Sequence, residues 1–186
     1  MDLKAYAKLN LTIDVLGRRK DGYHDLSSVM QEIEISDELH IELLDAQDVL
    51  LHCNILELQN KDNLVVRAAN LLQEVFQLSC GAKIFLKKSI PAGAGLGGGS
   101  SDAASALKGL SDLWGLHLSV ESLTKLASEV GSDVPFFIQG KTCLVQGRGE
   151  KVVPINAPSF YYVLVIPEFS VSTPEAYRLL DTDSKF

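Results

Sequence analysis

Apolar and polar residues alternate near the start of the chain, and a period of two predicts strands. Over residues 5–16, Ala5, Ala7, Leu9, Leu11, Ile13 and Val15 fall on one face. Lys8, Asn10, Thr12 and Asp14 fall on the other. The segment GRRKDG at 17–22 closes this strand with an Asp-Gly turn signal and leads directly into Tyr23-His24. Two more strands are predicted over 27–35 and 38–44, interrupted by Ser36-Asp37, and a short one over 49–54. The period then lengthens. Leu64, Ala68, Leu71, Leu72 and Val75 recur at helical spacing over 61–76, with Asp62 or Asn63 as N-cap. A β-branched and apolar run over 82–90 predicts a strand ending at Pro91.

A helix over 101–113 follows, with Ala103, Ala104, Leu107 and Leu110 facing inward and Asp102 read as a first-turn acid favoured by the helix dipole. A second helix spans 119–130, and 131–137 reads as a tight connection. A hairpin is predicted over 141–145 and 150–153 around Gly147-Arg148-Gly149. Residues 154–158 read as a linker, 161–166 as a continuous apolar strand, and 173–180 as a helix with Pro174 at its first position. This is an α+β pattern: a mixed sheet with helices on one face over residues 1–155, and the first strand and helix of a second domain over 156–186.

Composition narrows the function. With 186 residues the chain can bury a sizeable core. A formal net charge of −7 argues against nucleic acid as the main partner, so an anionic ligand would need a local positive pocket. Three cysteines, Cys53, Cys80 and Cys143, have no metal-ligand spacing and read as free thiols in a reducing compartment. No signal peptide or membrane-length apolar run is seen, which predicts a cytoplasmic protein with no membrane partner.

The chemistry centres on residues 91–102, PAGAGLGGGSSD, with five glycines between 93 and 99. A strand turning through glycines into a helix start exposes backbone N–H groups at the positive end of the helix dipole, where a phosphate binds. Gly93-x-Gly95-x-x-Gly98 also fits a dinucleotide fingerprint. The acid near the expected offset, Asp112, closes a helix rather than a strand, and no Gly-Lys-Ser/Thr follows.

Five segments in order, AKLNL at 7–11, GRRKDGYH at 17–24, KDNLVVRAA at 61–69, PAGAGLGGGSSDAA at 91–104 and GSDVPFF at 131–137, resemble the GHMP kinases, which phosphorylate small-molecule hydroxyls. The resemblance implies ATP as phosphoryl donor with Mg²⁺. Pro91, Gly93, Gly95, Leu96, Gly97, Gly98, Gly99, Ser100 and Ser101 would hold its phosphates, and Ser101 is the candidate protein contact to the metal. It implies Asp133 as general base, with Lys8 beside it keeping it ionised and drawing hydroxyl and γ-phosphate together.

Asn63, Leu64 and Lys88 would line the adenine side. Asn10 would touch the acceptor. Tyr23 and His24, with Tyr177 on the opposite face, would take a cytosine by stacking and edge hydrogen bonds. The acceptor implied is the 2-hydroxyl of a cytidine-diphosphate-linked methylerythritol, and the protein a monomer or homodimer. Homoserine- or mevalonate-type kinases of the family, a dinucleotide-binding module and a non-catalytic nucleotide-binding fragment are the alternatives. Family members continue into a second α+β domain with a third glycine-rich motif, so the chain is expected to be truncated.

Overall fold

The computed structural model describes residues 1–158, 160–167 and 173–183. The order of elements is β1 (Asp2–Arg18), β2 (His24–Leu44), β3 (Val49–Cys53), α1 (Leu64–Phe76), β4 (Gly81–Lys87), α2 (Gly98–Leu113), α3 (Val120–Val130), α4 (Val134–Gln139), β5 (Thr142–Gly147), β6 (Lys151–Pro154) and α5 (Thr173–Asp183). The sheet runs β3-β4-β2-β5-β6, with β1 paired to the other edge of β2. Only β3 and β4 run parallel; the other pairs are antiparallel.

Where two strands were expected, β2 is one strand of 21 residues. Its start pairs with β5 from Leu26 to Gln31 and its end with β4 from Glu38 to Leu44. Ser36-Asp37 marks the gap between these two partners and not a chain reversal. Opposite the gap, the register with β1 jumps from Ser36 facing Tyr6 to Ile33 facing Ala7, so Glu34 and Ile35 bulge out.

One face of the sheet carries the core. Leu39, Ile41 and Ile84 from the strands meet Val65 and Leu72 of α1, Leu107 and Leu110 of α2, and Phe136 and Phe137 of α4, all buried. Helix α2 lies at the centre and is buried almost all round because its residues are small. A Cβ on its Gly109 would stand 2.4 Å from Leu3 Cδ1. Helix α1 begins at Leu64, and its buried face holds Val65, Val66, Ala68, Ala69 and Leu72, while Val75 is exposed. Two β-branched residues at its start turn the stripe away from the expected one.

The opposite end of the hairpin lacks a cover among the described residues. Leu11, Ile13 and Val15, expected on a core face, are exposed because β1 and β2 extend beyond the helices. The expected strand at 161–166 is absent: Tyr161, Val163 and Val165 are exposed and the segment pairs with no neighbour. Strand propensity without a pairing edge does not make a strand. Its Leu164 packs beside Ala7, Ile90 and Leu96, and the Tyr162 hydroxyl donates to Gln31 Oε1. The helix expected at the end is present as α5.

Candidate phosphoryl-transfer site

Three glycines shape the loop before α2. Gly93, Gly95 and Gly97 all have φ near +70°, the left-handed region that suits glycine. At Gly97 space is short as well: a Cβ would stand 2.8 Å from the Phe137 ring and 3.1 Å from Lys8 Cγ. Gly97 caps a helix that starts at Gly98, three residues earlier than expected. The first intrahelical bond runs from Ser101 N–H to the Gly97 carbonyl at 2.9 Å. The N–H groups of Gly98, Gly99 and Ser100 therefore have no partner within the helix, at its positive end. Leu96 is buried against Ala7 and Ile90, so it contributes backbone and an anchor. Ser101 is buried too, at 2% exposure, while Ser100 is half-buried. Pro91 is exposed at the loop's entrance.

The bulge in the β1–β2 pair brings Lys8 to this loop. Its N–H donates to the Leu96 carbonyl at 2.9 Å. Its side chain is buried, with Nζ donating to Asn10 Oδ1 at 3.1 Å and standing 3.8 Å from Asp133 Oδ2. Burial pulls the Lys8 pKa down, and the charge of Asp133 opposes that shift. Asp133 occupies the N-cap position of α4, a helix where a tight connection was expected, but makes no capping bond. A capping role therefore does not account for it. Its carboxylate is 37% exposed and faces Lys8.

A third group lies at the other end of the hairpin. The His24 ring is stacked on Tyr177 of α5, with centroids 4.8 Å apart and planes 14° apart, and its Nε2 lies 2.7 Å from Asp181 Oδ1. Tyr23 is half exposed, with the Arg148 guanidinium 5.3 Å from its ring centroid. Tyr177 thus faces His24. The Tyr177 pKa is raised, mainly by burial and then by the charge of Asp133.

The residues expected at the adenine side divide. Leu64 lies against the loop: a Cβ on Gly99 would sit 3.9 Å from its Cδ1. Asn63 spends its side chain on structure, accepting from Val65 N–H at 2.9 Å to cap α1 and donating to the Leu58 carbonyl at 2.8 Å. Lys88 turns its ammonium into the interior. It is buried between Asp37 and Asp102, at 2.6 Å from Asp102 Oδ2, because two carboxylates outbid an open surface.

Sequence reasoning missed this cluster. Asp37 also accepts from Ser89 N–H and, at 2.8 Å, from Ile90 N–H. Asp102 lies in the second turn of α2, not the first, and its Oδ1 is buried with no partner. Burial pushes its pKa up to about 7, against the pull of Lys88. The one signal in the sequence was an acid standing inside an otherwise strand-like run.

No group of three or more His, Cys, Asp or Glu is placed to hold a metal ion among the described residues. No helix among the described residues is long and apolar enough to cross a membrane.

Comparison with known proteins bears on the family and the fold. Residues 63–141 match the family model described as the GHMP kinases N terminal domain. A protein of Listeria monocytogenes serotype 4b named 4-diphosphocytidyl-2-C-methyl-D-erythritol kinase is 44% identical over 186 residues, covering 99% of this chain and 64% of that protein. A Prochlorococcus marinus protein of the same name is 46% identical over 182 residues, covering 96% of this chain and 58% of the relative. This chain therefore spans less than two thirds of the length of either.

The crystal structure of a 4-(cytidine 5'-diphospho)-2C-methyl-D-erythritol kinase superposes with a TM-score of 0.79 at 36% identity, covering 96% of this chain and 63% of that one. A homoserine kinase from Cytophaga hutchinsonii shares the fold at a TM-score of 0.67 and 19% identity, covering 95% of this chain and 59% of that one. Residues 63–141 thus match the GHMP kinase N-terminal domain, and nearly the whole chain is similar to a part of these kinases.

Proposed function

We propose that this chain binds ATP with its phosphates on the N-terminus of α2 and phosphorylates the 2-hydroxyl of 4-diphosphocytidyl-2-C-methyl-D-erythritol. The observation that carries this reading is the meeting of Lys8 and Asp133, 3.8 Å apart, beside the helix start. Phosphoryl transfer asks the protein mainly for positioning and charge. The N–H groups of Gly98, Gly99 and Ser100 supply donors for the phosphate oxygens. Lys8 draws the γ-phosphate and the acceptor hydroxyl together, and Asp133 accepts the hydroxyl proton. Mg²⁺, bound to the phosphates, would neutralise their charge. Asn10, held by Lys8, lies on the acceptor side. Leu64 flanks the purine side.

The acceptor class follows from relatives acting on a cytidine diphosphate and from the Tyr23, His24 and Tyr177 rings near the same end of the hairpin. Aromatic faces and an imidazole edge suit a pyrimidine base. The test is a coupled kinase assay with ATP, Mg²⁺ and the cytidylylated methylerythritol, run beside homoserine and mevalonate. ADP release with the cytidine substrate alone supports the proposal. Turnover of homoserine or mevalonate instead would overturn the acceptor assignment, and failure to bind ATP would overturn the whole reading.

A further inference from the structure

The cluster of Asp37, Lys88 and Asp102 has no part in the reaction proposed above. It gathers three distant segments: Asp37 from β2, Lys88 from the turn after β4, and Asp102 from α2. Their side chains are 0%, 6% and 3% exposed. A buried ion cluster is expected to balance its charges. Here one ammonium faces two carboxylates, which leaves one negative charge in excess once both are ionised, as at pH 8, and Asp102 Oδ1 has no partner. Helix α1 turns apolar residues toward α2, and α4 has no charged side chain. The charged residues of α3 are exposed, and Lys8 of β1 is turned to Asp133. Of the neighbouring cations, Lys87 is paired with Glu38, and the partial charges that meet the cluster are the Ser89 and Ile90 N–H groups on Asp37 and the N-terminal end of α2.

The cluster lies directly beneath the phosphate loop. A Cβ on Gly98, the first residue of α2, would stand 3.1 Å from Lys88 Nζ. Its two carboxylates hold that ammonium inward. Its charge still reaches the helix start through a poorly screened interior, where Coulomb interactions over several ångströms stay substantial.

We infer that this cluster sets the electrostatic potential of the phosphate loop, with Lys88 a positioning cation for the polyphosphate and Asp102 a carboxylate that weakens its hold. The inference rests on the reading that the N-terminus of α2 receives the nucleotide phosphates. Its physical consequence is a sign that a purely structural role does not give. Removing Asp102's charge leaves the cluster neutral and tightens binding of an anion. Removing Lys88's charge leaves two carboxylates unopposed and weakens it. Removing both restores the original excess of one.

The test is calorimetric titration of ADP, with uncharged adenosine as control, at pH 8. The proteins are wild type, Asp102→Asn, Lys88→Met and the double variant. Asp102→Asn is expected to bind ADP roughly tenfold tighter and Lys88→Met roughly tenfold weaker, with the double variant near wild type. Adenosine affinity is expected to stay within about twofold throughout. Should Lys88→Met fail to fold, the near-isosteric Asp102→Asn with its adenosine control decides alone. ADP binding that is unchanged or weaker in Asp102→Asn, or adenosine shifting in parallel with ADP, overturns the inference and leaves the nucleotide site standing. Absence of ADP binding to the wild type overturns both.

Discussion

Lys8 and Asp133 make separable contributions, and substitution can tell them apart. If Asp133 accepts the acceptor's proton, Asp133→Asn keeps the shape of the site and removes the acceptor of charge. Turnover is expected to fall by roughly a hundredfold or more, with ADP affinity nearly unchanged. Lys8 is buried and its N–H holds the Leu96 carbonyl, so the backbone anchor survives substitution. Lys8→Met is therefore expected to lose turnover and also to weaken ATP, while leaving the loop in place. Rapid-quench turnover, with titration of ADP for Asp133→Asn and of a non-hydrolysable ATP analogue for Lys8→Met, checks both expectations.

Asp102 carries a different residue-scale consequence. Its pKa is raised from an ordinary aspartate value of 3.8 to about 7, first by burial. Between those limits the folded protein holds a proton that the unfolded chain releases. Stability is therefore greatest below about pH 4 for this group and falls as pH rises toward 7. Urea unfolding of wild type and Asp102→Asn across pH 5 to 8 checks the sign. The wild type is expected to lose up to a few kcal/mol relative to the variant over that range. No difference in slope between the two proteins would mean that Asp102 is already ionised at pH 5.

At the scale of elements, the loop entering α2 depends on one glycine more than on the rest. Gly97 is in the left-handed region and also in contact with Phe137 and Lys8, whereas Gly95 has open space around its Cβ position. Gly97→Ala adds backbone strain and a clash with an aromatic ring. It is expected to cost about 2 kcal/mol or more of stability and to reduce ADP binding. Gly95→Ala meets only the backbone penalty and is expected to cost about 1 kcal/mol. Thermal unfolding of the two variants side by side separates the terms.

The same elements mark what could be read from the chain alone. The glycine loop was legible because a dense local composition carries its meaning without tertiary context. The inward face of α2 was legible because Ala103, Ala104, Leu107 and Leu110 keep helical spacing. Asp37 was not, because a buried acid inside a strand is written like a break. Only the meeting with Ser89, Ile90 and Lys88, some fifty residues on, shows its partners. The start of α2 was placed late for a related reason: glycines discourage a helix by propensity, and here Gly98 and Gly99 form its first turn.

At the scale of the molecule, the candidate site is assembled from both ends of the sequence. The hairpin of β1 and β2 supplies Lys8 and Asn10 near its base and His24 toward its tip, while α5 brings Tyr177 and Asp181 across to that tip. Stacking against His24 makes Tyr177 the contribution of α5 to the ring cluster. If those rings recognise a cytosine, ligands carrying cytidine diphosphate and ligands carrying adenosine diphosphate should respond differently to changes in α5. Tyr177→Ala removes a stacking face worth roughly 1–3 kcal/mol per base, so CDP is expected to bind roughly tenfold or more weaker. ADP, seated on α2, is expected to be unaffected. Competition titrations with CDP, UDP and ADP on wild type and Tyr177→Ala read this out. Equal losses for CDP and ADP would show that α5 supports the whole molecule and not a pyrimidine site.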